Sequence, residues 1–249
     1  MAFAPTEPVP GRFYGEDLAC IHEAGYGGFA EGCAAGLLAA LRAAGIAGGK
    51  VVDLGCGPGA WAGRLVEAGY DVLGVDLSAA MIRLARRRAP RATFRVGSLY
   101  TTPLPPCRAI TALGEVLCYR VREAADPSLV PLFRRAHTAL GTGGLLIFDV
   151  AEVGLDRGRA PACREGEGWA CLVRFAYDDA RQRLTRHITT FRRIGASYRR
   201  REETHHVQLY RASAVARELR EAGFRVRTVR RFGEYPLPPG RVGFLARKA

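Results

Sequence analysis

The stretch Lys50-Val51-Val52-Asp53-Leu54-Gly55-Cys56-Gly57-Pro58-Gly59 decides the reading of this chain. Val51 to Leu54 is a short apolar run followed at once by glycines, the mark of a buried strand. Residues 60–68 then read as a helix stopped by Gly69. Glycines set between a strand and a helix permit a tight turn and let a ligand lie against bare backbone. The spacing is G-x-G-x-G, not the G-x-G-x-x-G of dinucleotide sites, although Ala60 leaves a looser dinucleotide pattern open. Asp53 stands just before the first glycine. A carboxylate there repels a pyrophosphate and favours a ligand that carries an ammonium group.

Working outward, the chain alternates between strand and helix. Residues 71–75 form a second strand, and Ser78 can cap a helix running to about Arg88. Residues 92–96 and 108–113 form the third and fourth strands, separated by the stiff Pro103, Pro105 and Pro106. Asp126 and Pro127 open a helix reaching Leu140, and residues 145–149 form the fifth strand. This order implies a parallel sheet with helices on both faces. After Val150 the pattern changes. A glycine- and charge-rich loop over about 152–168 leads to three extended stretches at 170–177, 183–194 and 198–210. A helix over 213–222 and strands at 224–230 and 242–246, flanking a Pro-Gly hairpin at 236–240, close the chain. Towards the start, a Pro-rich lead-in over 1–13 is followed by helices at about 16–24 and 29–44, with a glycine-rich break at 25–28. We read one domain over 1–249: a helical lid (1–45), a ligand-binding core (50–150), an antiparallel β insertion (151–210), and a C-terminal helix and hairpin (211–249) that complete the sheet.

Composition narrows the class. A chain of 249 residues buries roughly 70–75% of its unfolded surface and needs no staple. The seven cysteines include no C-x-x-C pair, and no His, Asp or Glu spacing suggests a metal, so no metal is expected. The start of the chain lacks the basic-then-apolar pattern of a secretory leader, and no apolar run is long enough to span a bilayer. A cytoplasmic protein without a membrane partner is therefore expected. The net charge of +13 could mark a nucleic-acid partner. However, Lys50 and Lys248 are the only lysines, and the arginines are spread along the chain in an Ala- and Gly-rich background. A nucleic-acid partner is possible but not favoured. The chain is expected to be a monomer or a homodimer.

Individual side chains extend the site. Asp76 ends the second strand about 20 residues beyond the glycine turn, where a carboxylate accepts both hydroxyls of a ribose. It could alternatively neighbour the Ser78 cap. Gly114-Glu115-Val116-Leu117-Cys118-Tyr119 follows the fourth strand, at the carboxyl end where ligands of open α/β sheets lie. Glu115 is the candidate substrate contact or base, with a cofactor contact or helix cap as the alternative. Tyr14, His22, Tyr26 and Phe29 can form an aromatic lid or can be core residues of an amphipathic helix. Of His205 and His206, on one strand, only one can face the site, and neither is taken as a base.

The run VVDLGCGPGAWAGRLVEAGYDVLGVDLSAAMIRLAR, beginning at Val51, resembles the motif region of the class I S-adenosylmethionine-dependent methyltransferases. The resemblance covers residues 50–150 well and 212–247 loosely. It implies a Rossmann-like α/β fold: a seven-stranded, mostly parallel sheet with the last strand antiparallel, flanked by helices. The cofactor would be S-adenosyl-L-methionine, a cation without phosphate, and the product S-adenosyl-L-homocysteine. By this resemblance Asp53, Leu54, Gly55, Cys56 and Gly57 hold the methionine end, Asp76 and Leu77 the ribose, and Met81 the adenine. Where the family often has an acidic residue for the adenine amino group, this chain has Gly97-Ser98-Leu99, and Ser98 offers only a hydroxyl. The layout is similar to that of small-molecule methyltransferases, which elaborate the region after the fifth strand. The implied reaction is N- or O-methylation of a small molecule by direct displacement. The alternatives are an RNA or protein methyltransferase, a non-catalytic module that binds the cofactor, and a dehydrogenase.

Overall fold

The computed structural model describes residues 13–120, 128–154 and 160–249. Lys50–Leu54 is strand β1, and its alternation divides the core in two. Val51 packs with the helices α2 (Gly28–Ala43), α3 (Ala60–Glu67) and α4 (Ala79–Arg88), through Leu37, Leu41, Leu65 and Ile82. Val52 faces the opposite layer, built on α5 (Val130–Ala139) and α6 (Ala212–Glu221), through Phe133, Ala136, Val215 and Leu219. Apolar residues on both faces are what a buried parallel strand requires. The strands β2 (Asp71–Asp76), β3 (Thr93–Val96), β4 (Cys107–Ala112) and β5 (Leu140–Ala151) lie parallel to β1.

The chain then leaves this sheet. β6 (Ala162–Gly166), β7 (Trp169–Asp178), β8 (Arg183–Ile194) and β9 (Ser197–Gln208) form a separate antiparallel sheet in that order. After α6, β10 (Phe224–Val229) and a two-residue ribbon, β11 (Arg231–Phe232) with β12 (Tyr235–Pro236), lead to β13 (Arg241–Lys248). β13 inserts between β5 and β10, antiparallel to both, so the main sheet reads β10-β13-β5-β4-β1-β2-β3. Phe148 of β5 stacks on Phe244 of β13 with ring centroids 4.9 Å apart. The expected mixed seven-stranded architecture is therefore present, last strand antiparallel.

Several boundaries differ from expectation. α5 begins at Val130 with Pro131 in its first turn, and the expected opening at Asp126-Pro127 lies outside the described residues. The loop expected over 152–168 contains β6, whose five residues are all exposed and carry no apolar alternation that could reveal it. The glycine-rich break near the start is a single residue, Gly27, between α1 (Glu16–Tyr26) and α2. The Pro-Gly turn survives as a bond from the Arg241 N–H to the Pro238 carbonyl, 3.1 Å, but it follows the ribbon.

The helix–ribbon contact sets a test of packing against propensity. A Cβ on Gly36 of α2 would lie 2.3 Å from the Phe232 backbone, whereas one on Gly63 of α3 would meet only Ala89, at 3.9 Å. Alanine gains about 1 kcal/mol over glycine inside a helix, but forced overpacking costs roughly 1–3 kcal/mol. Gly63→Ala is expected to raise the urea midpoint and Gly36→Ala to lower it. Equal shifts of the same sign would refute the packing argument.

Candidate active site

Strand order reverses between β1 and β4, and a crevice opens at their carboxyl ends. The cavity there has a volume of about 660 Å³. Tyr14, His22, Tyr26, Asp53, Gly55, Cys56, Gly57, Asp76, Leu77, Met81, Gly97, Ser98, Leu99, Gly114 and Glu115 all line it. Leu54 does not: its side chain is packed in the core below the turn.

The glycine turn takes its shape from close neighbours. Gly55 has φ 67°, and a Cβ there would lie 2.7 Å from the Val116 side chain. Gly59 has φ 81° and meets the Ala85 backbone of α4 at 2.9 Å. The Gly57 N–H donates to Asp76 Oδ2 at 2.9 Å, and the Ser78 N–H donates to Oδ1 at 2.8 Å. Asp76 thus braces the turn from the next strand. Ser78 caps α4 as expected, its Oγ accepting from the Met81 N–H at 3.1 Å. Asp53, 2% exposed, accepts from the Thr111 hydroxyl at 2.8 Å, and that hydroxyl accepts from Trp61 Nε1 at 3.1 Å. Burial pushes the Asp53 carboxyl up to about 7; the Thr111 bond works against this and the nearby Asp76 charge adds to it. Burial also raises Asp76, against the N–H groups of Ser78, Gly57 and Leu77.

The other half of the cavity is built differently. Gly114 and the non-glycine Glu115 are both left-handed, with φ 85° and 55°. Both N–H groups donate to the fully buried Asp149 at the end of β5, at 2.7 and 3.0 Å. The Glu115 carboxylate pairs with Arg186 of β8 and, at 3.4 Å, with Arg241 of β13; Arg241 also reaches Asp149 at 3.3 Å. Burial pushes Asp149 up to about 6, with Arg241 opposing. Burial, the largest single effect, lowers both arginines, but Glu115 together with Tyr119 and Tyr14 at Arg186, and with Asp149 at Arg241, outweighs it and holds them above their ordinary range. Arg186 donates to the Tyr119 hydroxyl at 3.1 Å, and the Tyr119 and Tyr14 hydroxyls lie 3.0 Å apart. Two guanidinium groups on one carboxylate favour its charged form.

The aromatic residues expected as a lid lie over this junction. His22 sits edge-on to Tyr14 at 5.3 Å and stacks on Tyr26 at 5.9 Å. Burial pushes its imidazole down to about 4, and its Nδ1 has no hydrogen-bond partner among the described residues. Of the histidine pair, His205 is the buried one: its Nε2 lies 2.9 Å from Glu203, while His206 faces Thr185 on the other side of the sheet. Sequence reasoning did not single out Arg186, Arg241, Asp149, Thr111, Trp61 or Glu203, and named Tyr119 only as the end of the segment 114–119. One usable signal was the row Leu184, Arg186, Ile188, Thr190, in which a lone arginine interrupts an inward-facing face.

The site fits a cationic nucleoside. Its floor presents two carboxylates, Asp53 and Asp76, while the paired arginines lie across the cavity beside Glu115. Gly57 leaves open space where a Cβ would stand. Among the described residues no group of three or more His, Cys, Asp and Glu side chains could hold a metal. No helix among them is long and apolar enough to cross a membrane.

Residues 51–144 match the family model of a methyltransferase domain. The chain is 37% identical over 103 residues to a trans-aconitate 2-methyltransferase of Rhodopseudomonas palustris, a match covering 41% of this chain and 38% of that relative's length. A solved S-adenosylmethionine-dependent methyltransferase from Clostridium acetobutylicum superposes with a TM-score of 0.79 at 17% identity, covering 93% of this chain and 97% of that one. The sugar N-methyltransferase KedS8 from Streptoalloteichus sp. superposes at 0.77 with 21% identity, covering 100% and 98%. The structural likenesses establish the fold, and the domain match spans the glycine turn, Asp76 and Glu115. Residues 51–144 thus carry a methyltransferase domain, and the chain as a whole has the fold of the Rossmann-like S-adenosylmethionine-dependent methyltransferases.

Proposed function

We propose that this chain methylates a nitrogen or oxygen of a small molecule held between the N-terminal helix and the insertion sheet. The observation that carries this reading is the division of one cavity into an acidic floor and a phenol- and arginine-lined far end. Its volume of about 660 Å³ is in the range of small-molecule sites, roughly 300–1,000 Å³. The relative named for trans-aconitate and the neighbour named for sugar N-methylation both support a small acceptor.

Asp53 and the turn Gly55-Cys56-Gly57 would face the methionine end of the cofactor, Asp76 and Leu77 the ribose, and Met81 with Gly97, Ser98 and Leu99 the adenine. His22 and Tyr26 would cover it, and Tyr14 would close the side towards the acceptor. When bound, S-adenosylmethionine supplies a methyl group on a sulfonium, open to direct displacement. The protein's own part is alignment, worth about 7–11 kcal/mol for well-oriented reactants. Tyr14 and Tyr119 would meet the acceptor: Arg186 can only donate to Tyr119, which leaves phenol lone pairs to orient an N–H or O–H nucleophile. An amine with a lysine-like pKa of about 10.4 costs roughly 4–5 kcal/mol to deprotonate near neutral pH, and an aromatic, desolvated wall lowers that cost.

The net charge of +13 motivates a second reading, a nucleic-acid acceptor. Against it, Arg83 pairs with Glu16, Arg192 and Arg199 with Asp17, Arg230 with Glu152, and Arg186 and Arg241 with Glu115. These arginines close contacts within the chain.

Three measurements test these assignments. A methyl-transfer screen with labelled cofactor against a metabolite panel and bulk RNA should label a small molecule. Label in RNA that falls steeply with salt would overturn the acceptor class. The ammonium of the ligand needs Asp53 ionised, and that carboxyl sits up at about 7, so it is protonated below that pH and ionised above it. Affinity for S-adenosylhomocysteine should then fall by up to about tenfold per unit as pH drops below 7. Calorimetry should find proton release on binding at pH 6, and Asp53→Asn should flatten the profile. A flat wild-type profile would detach Asp53 from the ligand. Finally, if Glu115 is an anchor, Glu115→Gln strands a buried guanidinium and costs on the order of 3 kcal/mol of stability. Arg186→Gln should then impair methyl transfer about as much as Glu115→Gln, and the double variant little more. A fully active Arg186→Gln variant would instead favour Glu115 as the base.

A further inference from the structure

We propose that Glu203 is a positioning residue for methyl transfer, clamping Tyr14 from the acceptor wall while the cofactor side holds the same residue from below. This rests on the reading of Tyr14 as an acceptor contact.

Glu203 lies on β9, its side chain 9% exposed. Its Oε2 accepts from the Tyr14 N–H at 2.8 Å and its Oε1 from the Gly15 N–H at 2.9 Å. His205 Nε2 lies 2.9 Å from Oε2. The chain closes on Tyr14 from the other side as well. Its carbonyl accepts from the Ser78 hydroxyl at 2.6 Å, and the Ser78 N–H donates to Asp76, the expected ribose anchor. One residue is thus pinned to both halves of the cavity by its main chain.

The pinned conformation is one that tyrosine avoids. Tyr14 has φ 49°, in the left-handed region, which costs a non-glycine residue about 1–3 kcal/mol. A helix start does not need it, so the surroundings must impose it. Glu203 is suited to do so. Its bonds to two main-chain N–H groups are charge-assisted, and they lie at the positive end of α1, where Gly15 offers no side-chain cap of its own. Glu203 also acts on the ring. The His205 imidazole it holds lies 5.1 Å from the Tyr14 ring and 5.7 Å from that of Tyr119. The cross-strand partner of His205 is Arg186, already committed to Glu115 and Tyr119, so Glu203 is the carboxylate that orients the imidazole. The result is a fixed phenol, Tyr14, 3.0 Å from its neighbour Tyr119.

Glu203→Gln keeps the size but puts an amide NH₂ where the site needs an acceptor, so the two N–H groups cannot both be satisfied. The test uses protein labelled with 3-fluorotyrosine, which has nine tyrosines, with the Tyr14 resonance assigned by Tyr14→Phe. In Glu203→Gln that resonance should shift or split, while S-adenosylhomocysteine affinity by calorimetry stays within about threefold of wild type. With the acceptor returned by the screen, kcat should fall by about ten- to a hundredfold at nearly unchanged KM for the cofactor. In a Tyr14→Phe background the Glu203 substitution should add nothing further. An unmoved Tyr14 line overturns the proposal, as does additivity with Tyr14→Phe. If Glu203→Gln does not fold, Glu203→Asp, which keeps the charge and shortens the reach, is read in the same way. General loss of structure in both variants reduces Glu203 to a stabilising residue and also overturns it. Failure of wild type to bind S-adenosylhomocysteine would show separately and would sink the methyltransferase reading instead.

Discussion

The burial of Asp53 is the constraint on which the site depends. A parallel sheet with helices on both faces leaves the end of β1 in a medium of low polarity, and there the chain places a carboxylate. Raising its pKa from 3.8 to about 7 means that ionising it in place costs on the order of 4 kcal/mol more than in water. That cost is what remains after the Thr111 hydroxyl has already reduced it. A cation offsets this remainder, and a phosphate would add to it. Asp76 differs in that main-chain N–H groups already solvate it, which makes it a brace for the turn. The two carboxylates, similar in sequence context, therefore have distinct physical roles.

Across the cavity the charges are balanced. Glu115 and Asp149 face Arg186 and Arg241, and the four groups come from the β4 turn, β5, the insertion and β13. Such a cluster carries little net charge to attract an acceptor, and it orders the wall. The left-handed Gly114-Glu115 step is tolerable because Asp149 takes both N–H groups, and Arg186 carries the order on to Tyr119. A mostly neutral, aromatic far end beside an acidic floor separates a cationic cofactor from an acceptor whose nucleophile must keep its lone pair.

The cofactor half was legible in the sequence because its determinants are local. The strand, the glycine turn, the Ser78 cap and Asp76 lie within one β-α-β unit, and each signals itself by residue type and spacing. The far end was not, because it is assembled by contacts distant in sequence. Glu115 meets Arg186 and Arg241 only through sheet pairings that spacing does not specify. Glu203 meets Tyr14 across almost the whole chain. β6 escaped because an exposed strand has no apolar face to alternate. Glu115 illustrates the limit: its position at the end of β4 was readable, but its chemistry is set by two arginines that were not.

The same long-range pairs explain how the N-terminal helix relates to the rest. Towards the core it is held by the Ser78–Tyr14 bond, the exposed Arg83–Glu16 pair, and a small apolar contact of Ala19 with Met81 and Leu84. An exposed pair of that kind contributes roughly 0–1 kcal/mol. Towards the insertion it is held by the buried Asp17 between Arg192 and Arg199, by Glu203, and by Leu18 and Ile21 packed on Cys171 and Ile188. Arg199 holds Asp17 below the usual carboxylate range, and desolvation only partly opposes it. The helix is therefore tied to the insertion sheet by buried charge pairs and apolar packing, and to α4 by a smaller set of contacts. This gives Arg192 of β8 and Arg199 of β9 a place within the fold: they fasten a helix over a cavity.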